Sequence, residues 1–427
     1  MPLCIPKWFR VLFSAVLLIG IFSFSFVTNS NFNEVIQALY QYTVQAHVPS
    51  DAHIPRKGET YQTIIWEGVS WLKNAQEKSG HFSYEYAPYE GSYTNNDEIV
   101  RQTGALLVLS EIYRRDVGDI YTLKNTVKQS IDYFKSLTVM STFNGQSFRC
   151  VRDVFEGMER CQLGATSLAL VGILGFIERN PAEKMLYTVL IEDYVSFIMS
   201  MKKPDEGFRT LYFLDADTQT LVETSTYNGE ALFALARYSL YHEREDVKRV
   251  IDSTFVYITD ESRLFDRALY MWAMSAFKDM YSLWKEEEYV SYTQKMTDAR
   301  IIGMKDKRDR SDNYCVFTEG FANAYLLLEL NRSESERSAY REEIDFWLYK
   351  NSMLQVTSED RFHVWSEGYR LNIGEIKDPK RAIGGFLTGH NKPLQRIDYT
   401  QHCLSSYVQM LIDVDGGSFR VPMEYGV

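Results

Sequence analysis

Two kinds of helical segment alternate along residues 60–412, six times over, and few folds accommodate that order. One kind is amphipathic, over about 60–77, 119–138, 184–202, 244–258, 287–302 and 335–351. The other is apolar nearly all round and rich in Ala, Gly and Ser, over about 96–115, 163–178, 227–241, 266–284, 318–330 and 398–412. Amphipathic helices turn one stripe inward and the other to water, whereas helices apolar all round are buried. The runs Leu163–Leu170 and Gly229–Ala236 are of the second kind, and their small residues let backbones approach closely. The pattern predicts an all-α (α/α)6 toroid: six helical hairpins, with an outer and an inner ring.

The links are as uneven as the helices. Inner-to-outer links are short, such as Arg115 to Gly118. Outer-to-inner links are mostly long, at about 78–95, 139–162, 203–226, 303–317 and 352–397. Links beyond about 12–15 residues are uncommon in compact domains and tend to carry function. In an antiparallel array the long links emerge at one end, beside the N-termini of the inner helices and their positive dipole ends. Acids sit at five of those six starts: Asp97 with Glu98, Glu230, Asp266, Glu319 and Asp398. A single acid there is read as a helix cap, worth about 1 kcal/mol. The set on one face outlines an acid-lined pocket.

Hydrolysis of a glycosidic bond needs a proton donor and a second carboxylate, and their spacing sets the stereochemistry. Asp97 with Glu230, and Glu319 with Asp398, are the candidate catalytic pairs. Arg101, Arg396 and His402 lie close to these acids in sequence and are candidates for holding a substrate, as are Tyr227 and Asp266. Their competing role is to neutralise the acids as ion pairs. Asp398, four residues before His402, is placed to orient its imidazole. In the first long link Tyr84 and Tyr86 share a parity, so an extended backbone presents both to one side as a stacking surface for sugar rings. Gly80-His81-Phe82, Gly207-Phe208 and Gly385-Phe386 recur in three long links, and their phenylalanines are read as structural plugs.

No CxxC or Cys–His spacing indicates zinc, and no metal or cofactor is expected. The net charge of −11 argues against sequence-independent nucleic-acid binding, which needs a basic surface. At the N-terminus Lys7 and Arg10 precede an apolar run from Val11 to Val27. This reads as a signal-anchor or transmembrane segment over 1–27, with a cleaved signal peptide as the alternative. A juxtamembrane linker over 28–58 and a toroid domain over 59–427 follow. The expected location is membrane-anchored, with the body outside the cytoplasm. There Cys150 with Cys161, and Cys315 with Cys403, are placed to form disulfides, free buried thiols being the alternative.

The segment Trp71–Phe82 has the form W-L-x3-Q-x3-G-x-F. With the six hairpins it resembles the six-hairpin glycosidase-like superfamily of α/α toroids. Glu98–Ala105 and Arg396–His402 are similar to segments of poorly characterised bacterial members. The resemblance implies a pocket at one end of the toroid and a carbohydrate ligand. Relatives in that group include glycoside hydrolases, unsaturated-glucuronyl hydrolases, polysaccharide lyases and sugar 2-epimerases. The paired histidines of the epimerases have one counterpart here, His402. The expected function is hydrolysis of a glycosidic bond in an envelope or exported polysaccharide. A non-catalytic glycan-binding component of a synthesis or export system, or a sugar epimerase or lyase, are the alternatives. Two carboxylates about 5–10 Å apart across an open pocket favour hydrolysis; acids locked to arginines or caps favour binding.

Overall fold

The computed structural model describes residues 58–115, 120–204, 207–310, 312–329, 333–358, 360, 362–367 and 370–418. The anchor and linker expected over 1–57 lie outside the described residues. Among the described residues no helix is long and apolar enough to cross a membrane. All that is described below, except Ser366, Glu367 and Arg370, belongs to one compact unit, Pro55–Trp365 with Leu371–Val427.

Twelve helices of twelve residues or more occupy the described part of the chain. The outer ones are α1 (Gly58–Ala75), α3 (Ile120–Leu137), α5 (Lys184–Ser200), α7 (Glu245–Ile258), α9 (Glu287–Met304) and α11 (Glu334–Ser352). The inner ones are α2 (Ile99–Arg115), α4 (Leu163–Arg179), α6 (Ser225–Ser239), α8 (Arg267–Trp284), α10 (Cys315–Leu328) and α12 (Ile397–Val408). Each inner helix packs on the next, α2 on α4 through to α10 on α12, and α12 returns to α2. Helices α2 to α11 pair in order with their neighbours as hairpins, and α12 pairs with α1. The alternation is therefore a closed (α/α)6 toroid.

Side-chain chemistry explains the division into rings. In α4 every residue from Leu163 to Ile177 is buried, whereas α7 buries only Val247, Ile251, Thr254, Phe255 and Ile258. Spacings of three and four place those five on one stripe. Small residues set the closest approaches at the seam. A Cβ on Gly104 of α2 would meet Oε1 of Gln401 on α12 at 2.1 Å.

The long links depart from expectation: several are strands rather than irregular loops. Strands β3 (Thr138–Phe143), β4 (Gln146–Phe155) and β5 (Met158–Gln162) run from the end of α3 to the start of α4. With β6 (Leu211–Phe213) and β7 (Thr218–Gln219) they form one antiparallel sheet. The β3–β4 turn is Asn144-Gly145 and the β4–β5 turn Glu156-Gly157, all four residues at φ between 51° and 80°. That is the two-residue turn geometry whose twist suits a hairpin. A second sheet in the order β10-β11-β1-β2 joins the first and last links: β1 (Glu85–Ala87), β2 (Ser92–Tyr93), β10 (Leu387–Gly389) and β11 (Lys392–Arg396). Between β2 and β10 in sequence, β8 (Phe362–Glu367) and β9 (Arg370–Glu375) form a two-stranded sheet.

The three Gly-Phe links share one device. Phe82, Phe208 and Phe386 are fully buried. Their backbone N–H groups donate to Gln102, Asn228 and Thr400, side chains in the first turn of the following inner helix. The phenylalanines are the structural plugs expected. The cysteines pair as Cys150–Cys161 and Cys315–Cys403, the second tying the start of α10 to α12.

Candidate functional site

Glu230, in the second turn of α6, is fully buried, and neither carboxylate oxygen has a hydrogen-bond partner. Room for it comes from α4: a Cβ on Gly164 would lie 2.1 Å from its Oε2. Only glycine fits there. Burial pushes the Glu230 carboxyl up to about 8, Arg101 opposing and Glu98 adding to the shift. A carboxyl in that state is protonated at neutral pH and can donate a proton. Tyr227, one turn earlier, packs against Gly164 and donates its hydroxyl to Gln162 Oε1 at 2.5 Å.

Charged groups from α2 and α12 surround it. Arg101 lies 3.5 Å from Glu98 and 3.6 Å from Asp398, and it also feels the Glu230 carboxyl. Asp398 is held by a two-pronged pair from Arg396, at 3.0 and 2.6 Å. The Arg396 guanidinium lies about 5 Å from both the Tyr84 and Tyr399 rings, 5.1 and 5.0 Å from their centroids. Glu98 accepts hydrogen bonds from the backbone N–H groups of Val100 and Arg101, capping α2. Burial raises its carboxyl above the ordinary range against the pull of Arg101. Asp398 is buried, while the Arg101 side chain keeps 37% of its surface exposed. A partly open rim of Arg101 and Glu98 thus borders the buried, protonated Glu230, and Arg101 links it to the Asp398–Arg396 pair.

A second group joins α10 and α12. His402 Nδ1 and Glu319 Oε2 share a hydrogen bond of 2.7 Å, and Ser405 donates to the other Glu319 oxygen at 2.6 Å. Both Glu319 and His402 are buried, and the Trp272 ring meets the imidazole edge-on at 5.9 Å. The partner that orients His402 is therefore Glu319 and not Asp398, which the arginines occupy. Glu319 and Asp398 belong to separate hydrogen-bonded groups.

Three further sequence-based assignments change. Asp97 does not join Glu230. It accepts from His81 at 2.9 Å, from Gln102 at 2.7 Å and from the Glu98 backbone at 2.8 Å. Burial opposes the ionised form, yet those hydrogen bonds hold its carboxyl below the ordinary range. It locks the Phe82 link to α2, a task its place just before a helix equally suits. Asp266 caps α8 through the N–H groups of Ala268 and Leu269. Tyr86 is fully buried beside Tyr93 at 5.0 Å, so Tyr84 and Tyr86 form no common platform. Every residue of β1 is buried, so both of its faces are covered, and parity alone does not reveal that. Sequence reasoning missed Gly164, Gln162, Tyr399 and Trp272. A glycine at the second position of a mostly apolar inner helix was the available signal for Gly164.

Among the described residues no group of three or more His, Cys, Asp and Glu side chains is placed to hold a metal ion. No family model matches the chain, and no curated protein matches it. Solved structures match in fold. An unsaturated glucuronyl hydrolase specific for heparin superposes with a TM-score of 0.58 at 11% identity, over 85% of this chain and 100% of its own. A D-mannose isomerase gives 0.58 at 12% identity, over 84% and 99%. A family 76 α-mannanase from Bacteroides thetaiotaomicron gives 0.55 at 9% identity, over 82% and 94%. The chain shares their (α/α)6 toroid fold.

Proposed function

We propose that the protein is a carbohydrate-active toroid that hydrolyses a glycosidic bond, with Glu230 as the proton donor. The observation that carries this reading is the Glu230 carboxyl: buried, unpartnered, protonated at neutral pH and bordered by a partly open charged rim. In the reaction the Glu230 proton passes to the glycosidic oxygen as the C–O bond breaks. Asp398, held by Arg396 and Arg101, is the carboxylate that faces the developing positive charge or takes the proton of the attacking water. The solved structures of like fold that act on sugars support a carbohydrate as ligand. An exported body, with the N-terminal basic and apolar segment as its membrane attachment, is part of the proposal. The two disulfides support it, because such bonds persist in oxidising compartments.

A second reading, a glycan-binding component without turnover, is favoured by one observation. Glu98 and Asp266 cap their helices, Asp97 is tied to His81 and Gln102, Glu319 is tied to His402, and Asp398 is forked by Arg396. One experiment separates the two. The protein is incubated with a panel of oligosaccharides, and new reducing ends and binding are both measured. Hydrolysis that falls about 10²–10⁴-fold in Glu230→Gln, with binding retained, supports the proton donor. Cleavage unchanged in that variant refutes the assignment, and saturable binding without any cleavage establishes the second reading.

A further inference from the structure

The C-terminal ends of five inner helices, α2 to α10, and Asp413 from the segment after α12 meet at the other end of the ring, around a cavity of about 620 Å³. That volume falls in the range of small-molecule sites, about 300–1,000 Å³. An inner helix of 17 residues is roughly 25 Å long, so this cavity is remote from Glu230.

Its arginines are committed to acids. Arg237 pairs with Asp279 at 2.6 Å and with Glu111 at 2.6 Å. Arg114 pairs with Glu111 and Glu178, each at 3.0 Å, and Arg115 with Glu111 and, at 2.9 Å, with Asp413. Two lysines are not so placed. Lys278, half-buried on α8, and Lys285, exposed just past its end, both line the cavity with Ser282. Neither ammonium makes a hydrogen bond or an ion pair with a described residue, and Lys285 rests 4.9 Å from the Tyr281 ring. Leu240, Leu326 and Leu327 supply an apolar wall. Burial lowers the Lys278 ammonium below its ordinary range despite the nearby Asp413 and Asp279. A desolvated cation without a close counter-ion is costly, and a bound anion removes that cost.

We propose that this cavity is a second ligand site, taking a small molecule that bears a phosphate or carboxylate group between Lys278 and Lys285 and lays its apolar part on the leucine wall. The proposal is independent of the chemistry at Glu230.

Calorimetric titration of the whole protein tests it, with inorganic phosphate, glucuronate and neutral glucose as probes and sodium chloride used to match ionic strength. Saturable binding of phosphate or glucuronate is expected, weakened about tenfold or more in Lys278→Met and unchanged in Glu230→Gln. Whichever of the two binds more tightly identifies the anion. If Lys278→Met proves unfolded by circular dichroism, Lys285→Met reads out the same loss. No saturable heat with either anion, or binding that is equal in the lysine variants, overturns the site.

Discussion

Glu230, fully buried, and Glu111, half-buried, are carboxyls on inner helices, one near the amino ends of the ring and one near the carboxyl ends, and they exist in opposite charge states. Glu111 is reached by Arg114, Arg115 and Arg237. Burial opposes its ionisation, but the three guanidiniums hold it well below the ordinary range. Glu230 feels Arg101, which it shares with Glu98 and Asp398, and its carboxyl rises to about 8. Burial alone does not decide the proton; the number of cations committed to the group does. One end of the ring is an ion network that holds helices together. The other keeps an acid ready to give up its proton.

The largest effect that tests this contrast is expected at Glu111. Its replacement by Ala takes one acid from each of three arginines, and stability to urea should fall by about 3 kcal/mol, the low end for a broken buried pair because Glu178, Asp413 and Asp279 stay in place. A loss below about 1 kcal/mol would erase the distinction between the ends. The pH dependence sharpens it next. The Glu230 carboxyl lies above its ordinary 4.5 when folded, so its contribution is present below that pH and lost as pH rises toward 8. The slope reaches about 1.4 kcal/mol per pH unit. Glu230→Gln should flatten the stability profile over that window, and a profile parallel to wild type would contradict the raised value. Glu111 is depressed, so its contribution is present above 4.5 and disappears in acid as pH falls through its folded value. A smaller effect is expected from Gly164→Ala, about 1–3 kcal/mol, because the new Cβ displaces the Glu230 carboxylate. The wild-type pH profile retained in that variant would show that Glu230 had not moved. The smallest concerns Asp266→Ala. Loss of a cap costs about 1 kcal/mol, and oligosaccharide binding should be unaffected.

The ring itself was legible because inner and outer helices differ in periodicity, and α4 and α7 show the two patterns cleanly. The candidate site was legible as a face but not as a list of roles. Asp97, Asp266 and Glu230 all stand at or near helix starts, and sequence position does not tell a cap from an unpartnered acid. What separates them is tertiary: the vacancy at Gly164 that admits Glu230, and the His81 and Gln102 side chains that take Asp97. The link over 139–162 carried an Asn-Gly turn between alternating residues, a hairpin signal that the dominant helical pattern obscured. The opposite end left a trace too: Glu111, Arg237 and Asp279 are charges inside otherwise apolar helices, and such charges need partners.

The return of α12 to α1 and α2 has a consequence for biosynthesis. The faces of those two early helices that α12 covers, with Gly104 awaiting Gln401, stay without a partner until the segment from Ile397 onward has left the ribosome. Closure is thus a late, long-range event, and such contacts form slowly because a large loop must first be drawn together. A nascent chain stopped short of residue 397 presents an open arc with apolar edges, a ready substrate for chaperones and proteases.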